Sequence, residues 1–239
     1  MRLGSPTQTD EEGGGAAGQD PRGGGAGACM EGRQAPRSAA GSAARAVDFL
    51  EMARGLKTTP RTGWVHRGVR GPESVADHSW RVALMALVGA QGAPGLDTAR
   101  AVQVALVHDL AEAIVGDIAP GDGVPAEEKH RREAAAMEQL GGVLGGCAGE
   151  RVRALWDEYE AGASQEARFV KDMDKLEMIL QAREYEEEQG MDLSEFFDST
   201  RGKFKTELGS RWAAEIAERR PGRGSPAARA GSEGAPKGP

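Results

Sequence analysis

One short stretch of the sequence, residues 105–117, constrains the fold more than any other. It reads Ala-Leu-Val-His-Asp-Leu-Ala-Glu-Ala-Ile-Val-Gly-Asp and has no turn residue before its penultimate glycine. At 100° per residue on a helix, His108, Asp109 and Glu112 fall within one sector. The opposite side carries Leu106, Val107, Leu110 and Ile114. A helix with this many apolar residues is predicted to be buried. Ionisable side chains on a buried helix must be paired or bind a metal. The stretch is therefore predicted to form a site.

The composition predicts one folded domain between two tails. The chain has 239 residues, of which 39% are hydrophobic, enough for a single core. Residues 1–43 and 220–239 are rich in Gly, Ala and Ser, so they bury too little apolar surface to offset their chain entropy and are predicted to be disordered. The folded body is predicted over 44–219. A formal net charge of −7 argues against a nucleic-acid-binding surface.

The cysteine pattern and the hydropathy predict a cytoplasmic protein with no membrane partner. Cys29 and Cys147 form no Cys-x-x-Cys pair, so a disulfide framework is not expected and a reducing compartment fits best. No run of about 18 apolar residues predicts a transmembrane helix. The N-terminal residues lack the apolar segment of a signal peptide.

The periodicity of the folded body predicts an all-α fold, because no useful stretch alternates with a period of two. Helices are predicted over 47–56, 75–90, 98–115, 126–144, 151–160, 165–188, 193–197 and 204–217. Ser74, Asp97 and Ser164 are the predicted N-caps of three of them. Residues 59–72, rich in Gly, Pro and Arg, are predicted to be a loop.

Histidines and carboxylates recur in an order typical of a metal site. His78 lies on a mostly apolar helix, where a lone histidine is usually a hydrogen-bonded core side chain. Its significance grows because His108 and Asp109 follow one helix later, and imidazole with carboxylate suits divalent metals. The apolar stripe Phe169, Met173, Leu176 and Leu180 is flanked by both Asp172 and Asp174, so periodicity does not choose between these acids.

Of the other two histidines, His66 has no assigned role. His130 lies among charged residues and is predicted to be at the surface.

Two further groups have competing interpretations. Arg61 and Trp64 lie in a loop with Arg67 and Arg70, where a guanidinium suits phosphate and an indole suits a base or sugar. The alternative is a solvated basic loop with Trp64 as a packing anchor. Asp117, just after a glycine, either takes part in proton transfer or satisfies loop amides.

Five segments together resemble the HD-domain metal-dependent phosphohydrolases, in particular their 5′-deoxynucleotidase branch. The segments are 61–64, 72–78, 105–120, 127–133 and 169–180. The likeness covers about 44–207 and leaves out both tails. It implies an all-α HD-domain helical bundle with a buried metal site, and a homodimer.

The resemblance also implies roles for individual residues. The metal ligands are His78, His108, Asp109 and Asp174, the last because Lys171, Asp174 and Glu177 match the family order Lys-x-x-Asp-x-x-Glu. Glu112 acts on the attacking water, and Asp117 lies beside the ester bond. A second cation is implied between Glu112, Asp117 and the carbonyl of Ile118. Arg61 and Trp64 correspond to a pair beside the phosphate and sugar.

The implied function is a metal-dependent 5′-deoxynucleotidase that hydrolyses deoxyribonucleoside 5′-monophosphates with Mn²⁺, Co²⁺ or Mg²⁺. One alternative is a non-catalytic nucleotide-binding or scaffold protein on the same fold. Another is a different nucleotide phosphohydrolase, such as one that acts on triphosphates. Cyclic-dinucleotide phosphodiesterases and di-iron oxygenases need further histidines, which this chain lacks after His130.

Overall fold

The computed structural model describes residues 39–220, and within that range the chain forms helices and no strand. The helices are α1 (Ala39–Ala53), α2 (Thr62–His66), α3 (Val75–Gly89), α4 (Thr98–Val107), α5 (Glu112–Val115), α6 (Ala126–Leu144), α7 (Gly146–Ala161), α8 (Gln165–Gln189), α9 (Ser194–Thr200) and α10 (Glu207–Glu218). None of these is long and apolar enough to cross a membrane. The all-α prediction is confirmed. The predicted disordered tails lie almost wholly outside the described residues, and α1 begins at Ala39, within the segment predicted to be disordered.

Polar side chains set the first residues of the helices that carry the site. Ser74 Oγ accepts the Asp77 N–H, and the Asp77 carboxylate accepts the Ser74 N–H, a reciprocal capping box. Asp97 caps α4 and Ser164 caps α8, each through the amide three residues on. Each cap contributes about 1 kcal/mol. The three predicted N-caps are therefore confirmed, and the one at Ser74 sets the start of the helix that carries His78.

The main core lies between α3, α4 and α8. Buried side chains from all three helices meet there, among them Val82, Val104, Phe169, Met173 and Leu176. Alanines with no exposed surface, Ala86, Ala101 and Ala105, lie in the same core. Small side chains let helix backbones approach closely, so α3 and α4 hold their polar residues at short range.

The predicted helix 98–115 is wrong in one respect, because α4 ends at Val107 and α5 begins at Glu112. Between them, amides bond to carbonyls three residues back, as in the Leu110 N–H to Val107 bond of 3.1 Å. Such a 3₁₀ turn advances about 120° per residue and redirects the side chains that follow. The predicted burial of the apolar side is also wrong for Leu106 and Ile114, which are 53% and 40% exposed. His108 and Glu112 are buried, and so is Leu110 from the predicted apolar side.

The predicted loop 59–72 contains α2, which the abundance of Gly, Pro and Arg concealed. The loop is attached to the start of α3 by the Arg61 N–H to Glu73 and Val75 N–H to Thr59 hydrogen bonds, of 3.0 and 2.9 Å. A second attachment fixes α5: a Cβ at Gly55 would lie 2.3 Å from the Ala113 carbonyl oxygen. Only glycine permits this approach, so α5 and the residues beside it are held closely.

Candidate metal centre and active site

Four predicted metal ligands converge between α3, α8 and the turn that follows α4. His78 Nε2 lies 3.3 Å from both His108 Nε2 and Asp174 Oδ1. Asp109 Oδ2 lies 3.2 Å from His108 Nε2 and 3.6 Å from His78 Nε2. Ligand atoms about 2.1 Å from a shared ion lie roughly 3.0–3.4 Å apart. The ligand atoms of His78, His108 and Asp174 all lie within 4.8 Å of one another, and Asp109 approaches both histidines. These four side chains, called here the four-donor cluster, offer the imidazole and carboxylate donors that a divalent metal ion accepts.

The structure distinguishes Asp172 from Asp174, between which the periodicity of the helix could not choose a metal ligand. Asp172 is fully buried, and its carboxylate accepts the backbone N–H of Lys205 and of Thr206 as well as the Thr206 hydroxyl, at 2.7–3.0 Å. It thus holds the segment that begins α10. Asp174, half a turn further along α8, points to the histidines instead. The structure brings Asp174 into the cluster and leaves Asp172 out.

A second layer of side chains orients the cluster. Glu177 accepts the Nδ1–H of His78 and is itself held by Arg81, whose Nε lies 2.8 Å away. His108 Nδ1 lies 2.7 Å from the Ala105 carbonyl oxygen. With Nδ1 of each ring committed in this way, both Nε2 atoms are left for a metal. The Tyr159 hydroxyl donates to Asp174 Oδ2 at 2.8 Å.

Sequence reasoning found only part of this second layer. The sequence identified Glu177 as the last residue of the Lys-x-x-Asp-x-x-Glu order, but it did not predict the contact of Glu177 with His78. No sequence pattern pointed to Tyr159, because it lies on α7 outside every motif.

The carboxylates around His78 determine whether its ring is protonated. Burial and Arg61 act to lower the pKa of His78, but the hydrogen bonds to Asp174 and Glu177 outweigh them and raise it to about 10. Burial acts to raise the pKa of Asp174, and the hydrogen bond from His78 holds it well below its usual range. The cluster therefore keeps its carboxylates ionised around a protonated His78. Because a metal needs the neutral ring, cation binding releases this proton.

We expect Glu177→Gln to weaken Mn²⁺ binding by about 10- to 100-fold, because an amide orients the His78 ring less firmly than a carboxylate does. Isothermal titration calorimetry on the purified protein measures the effect. Glu184→Gln is the matched control, since Glu184 contacts the same Arg81 at 2.8 Å but not the histidine. An equal loss of affinity in both variants would contradict the role given to Glu177.

The two remaining predicted carboxylates lie beside the cluster and differ in their partners. Glu112 is 3% exposed, and its Oε2 has no hydrogen-bond partner among the described residues. Burial raises the pKa of Glu112 to about 10, with Asp109 and Asp117 adding to the effect. Asp117 Oδ2 accepts the Thr62 N–H at 2.6 Å, and the Thr62 hydroxyl donates to the Asp117 carbonyl. Asp117 thus bonds a loop amide, and its Oδ1 faces Arg61 at 3.7 Å.

Arg61 and Trp64 both reach the cavity, in different ways. Arg61 Nη1 lies 3.4 Å from Asp109 Oδ2, so the guanidinium bridges the cluster and the loop at Asp117. Trp64 is 2% exposed, and its indole N–H donates to Glu73 at 2.9 Å. Because Trp64 also packs on Phe196, it is a packing anchor that lines the cavity at the same time.

The other two arginines of this loop lie apart from the cluster. Arg67 pairs with Glu195, and the backbone of Arg70 bonds Gln189.

The cavity in front of the cluster has a volume of about 390 Å³, within the range of small-molecule sites. Six carboxylates line it, against three cationic side chains, Arg61, Lys129 and Lys171. An anionic phosphate ester therefore needs added positive charge to bind here. His130 lies at the rim, paired with Glu160 at 2.9 Å and about half exposed, as a surface side chain rather than a member of the cluster.

The fold and the cluster define an all-helical protein with a buried centre of two histidines and two aspartates. The family model for the HD domain matches residues 53–213. The chain belongs to the HD-domain family.

Named relatives lie within the same family. The mouse protein named 5′-deoxynucleotidase HDDC2 is 50% identical over 169 residues, which are 70% of this chain and 84% of the mouse chain. The human protein of that name is 52% identical over 160 residues, 66% of this chain and 78% of its own. A solved structure from Magnetospirillum magnetotacticum, described as a predicted metal-dependent phosphohydrolase, has a TM-score of 0.60. It is 28% identical, and the match covers 74% of this chain and 95% of that one.

Proposed function

We propose that this chain is a metal-dependent 5′-deoxynucleotidase that converts deoxyribonucleoside 5′-monophosphates into deoxynucleosides and phosphate. One observation carries the proposal: the four-donor cluster opens onto a cavity of nucleotide size, beside the buried Glu112, whose Oε2 has no hydrogen-bond partner among the described residues. The mouse and human relatives, which are 50% and 52% identical over about two thirds of this chain, carry the name of this activity. The family thus supports the chemistry that the site can perform.

The cofactor in this proposal is a divalent cation, Mn²⁺, Co²⁺ or Mg²⁺. Mixed imidazole and carboxylate ligands accept all three, with nitrogen favouring Mn²⁺ and Co²⁺. Bound to the cluster, the cation supplies Lewis-acid chemistry by offsetting charge on the phosphate and acidifying a neighbouring water. A second cation is proposed between Glu112, Asp117 and the Ile118 carbonyl, where the unpartnered Glu112 Oε2 offers a free donor.

In the proposed mechanism, the residues of the chain orient the ester and move two protons. With a cation at the four-donor cluster to offset the neighbouring negative charges, and with the second site empty, Glu112 would be ionised. Its Oε2 then takes a proton from the attacking water as the water oxygen bonds to phosphorus. The bond from phosphorus to the 5′ oxygen breaks, and that oxygen receives a proton. When the second site is empty and Asp117 is protonated, Asp117 is the proposed donor, through Oδ1, because its Oδ2 accepts the Thr62 amide. Arg61 holds the phosphate, and Trp64 forms the cavity wall beside the sugar.

Phosphate release tests the proposal. The full chain is assayed with deoxyribo- and ribonucleoside 5′-monophosphates in the presence of Mn²⁺, Co²⁺ or Mg²⁺, with chelator as control. The proposal requires metal-dependent release that is faster with the deoxy substrates. Cation and nucleotide binding without any release would instead support the non-catalytic alternative. Release from triphosphates alone would support a different nucleotide phosphohydrolase.

The homodimer in this proposal is supported by an exposed apolar face on α3. Trp80, Leu84, Leu87 and Val88 lie within one 100° sector of that helix and are 41–64% exposed. A monomer seldom leaves several large apolar side chains together in water. A second copy of the chain is the proposed cover. The cytoplasmic location and the absence of nucleic-acid and membrane partners stay predictions.

We expect Trp80→Asp to convert the dimer to a monomer, because a carboxylate at the centre of an apolar contact loses its hydration without a partner. Light scattering coupled to gel filtration gives the mass. Leu50→Asp on α1 is the control, since Leu50 is equally exposed at 64% but lies on another helix. A dimer that survives Trp80→Asp and dissociates with Leu50→Asp would place the interface on α1.

A further inference from the structure

One cationic side chain of the cavity reaches a backbone oxygen next to the cluster. Lys129 Nζ donates to the Ile118 carbonyl at 3.1 Å and lies 3.5 Å from Glu133 Oε1. The ammonium is also close enough to Asp109, Glu112 and Asp117 to interact electrostatically with all three. None of the sequence motifs assigned a role to this lysine.

The position of Lys129 matters because the Ile118 carbonyl is one of the three donors proposed for the second cation. An ammonium bonded to that oxygen adds a positive charge beside the place where a divalent cation would bind. Two cations this close repel each other strongly inside a protein. Lys129 therefore competes electrostatically with the second cation.

Glu133 offers the ammonium an alternative partner. It lies one turn further along α6 than Lys129, and its side chain is 11% exposed. Because Lys129 Nζ already lies 3.5 Å from Glu133 Oε1, the ammonium can leave the Ile118 carbonyl and stay paired with a carboxylate.

We propose that Lys129 is a positioning residue that controls occupancy of the second cation site, by holding the Ile118 carbonyl until a cation displaces its ammonium toward Glu133. The inference rests on the second site of the proposed function. It predicts two unequal affinities, tight at the four-donor cluster and weak at Glu112 and Asp117. A phosphate ester, by adding negative charge, favours filling of the weak site.

Two variants with opposite expected effects test this proposal by Mn²⁺ titration, read by calorimetry and by paramagnetic resonance of free Mn²⁺. Lys129→Met removes the competing charge and should tighten the second site about tenfold. Glu133→Gln removes the alternative partner and should weaken it several-fold. Lys129→Arg keeps the charge and should leave the second site weak.

The outcomes separate this inference from the proposed function. If Lys129→Met binds a second cation no more tightly than the wild type does, the role of Lys129 is overturned. This holds even where the wild type binds one cation at the four-donor cluster and hydrolyses the substrate. One cation in the wild type and two in Lys129→Met supports it. Glu112→Gln should abolish only the weak site. Failure to bind any cation at the cluster would instead reject the proposed function.

Discussion

Glu112→Gln should lower kcat for a deoxyribonucleoside 5′-monophosphate by about 10²- to 10⁴-fold, the usual contribution of a general base. The amide keeps the shape of the side chain but cannot accept the water proton. Initial rates at a Mn²⁺ concentration that fills only the four-donor cluster measure the effect, so that loss of the second cation site does not contribute. Glu160→Gln is the matched control, because Glu160 lines the same cavity yet is paired with His130. A Glu112→Gln enzyme with full activity would remove Glu112 from the mechanism.

The same substitution should stabilise the metal-free fold. The pKa of Glu112 is raised to about 10, mainly by burial, from about 4.3 in an unfolded chain. The stability that its protonated form contributes is complete below the unfolded pKa and is lost as the pH rises toward 10. The Tm advantage of Glu112→Gln over the wild type should therefore grow between pH 5 and pH 8. A constant difference across this range would mean that Glu112 titrates normally.

Much of the fold was predictable because its signals are local. Ser74, Asp97 and Ser164 set helix starts through side-chain bonds to amides three residues on, a spacing that can be read from the sequence. The break after Val107 could not be read from the sequence, since a 3₁₀ turn and an α turn are distinguished by the carbonyl that each amide bonds. Leu106 and Ile114 show a related limit: apolar residues identify a face, and only the packed structure shows whether a neighbour covers it.

The site shows the same division between local and long-range information. The four proposed ligands were identified partly because the chain has only four histidines, and partly because the family order points to Asp174. Their supports come from elsewhere: Tyr159 from α7, and Arg81 through Glu177. Lys129 reaches the site only because α6 begins beside Ile118. Such contacts follow from the tertiary arrangement and leave no spacing in the sequence.

The acids at 172 and 174 show how far structure alone can separate two similar residues. Both lie on α8, and both are largely buried. Asp172 supports the start of α10, whereas Asp174 lies against His78. The same chemical change at each position should therefore have different consequences for metal binding.

Asp174→Asn should weaken Mn²⁺ binding at least about 100-fold and abolish phosphate release. It should also lower the Tm of the metal-free protein, because the carboxylate faces a protonated His78 and accepts the Tyr159 hydroxyl. The loss of Mn²⁺ binding follows because an amide is a poor ligand compared with a carboxylate. Asp172→Asn should lower the free energy of unfolding by about 1–3 kcal/mol, because an amide cannot accept all the N–H and O–H groups around it. Its Mn²⁺ affinity should stay close to that of the wild type.

Calorimetry for binding and thermal unfolding with chelator measure the two effects on the same samples. The reversed pattern, with binding lost in Asp172→Asn and kept in Asp174→Asn, would make Asp172 the ligand. It would also require α8 to rotate by about 200°, two residues at 100° each, and so bring Phe169 and Met173 out of the core. Exposing two such side chains costs several kcal/mol. The core that holds α8 in place thus also selects Asp174 as the residue that faces the histidines.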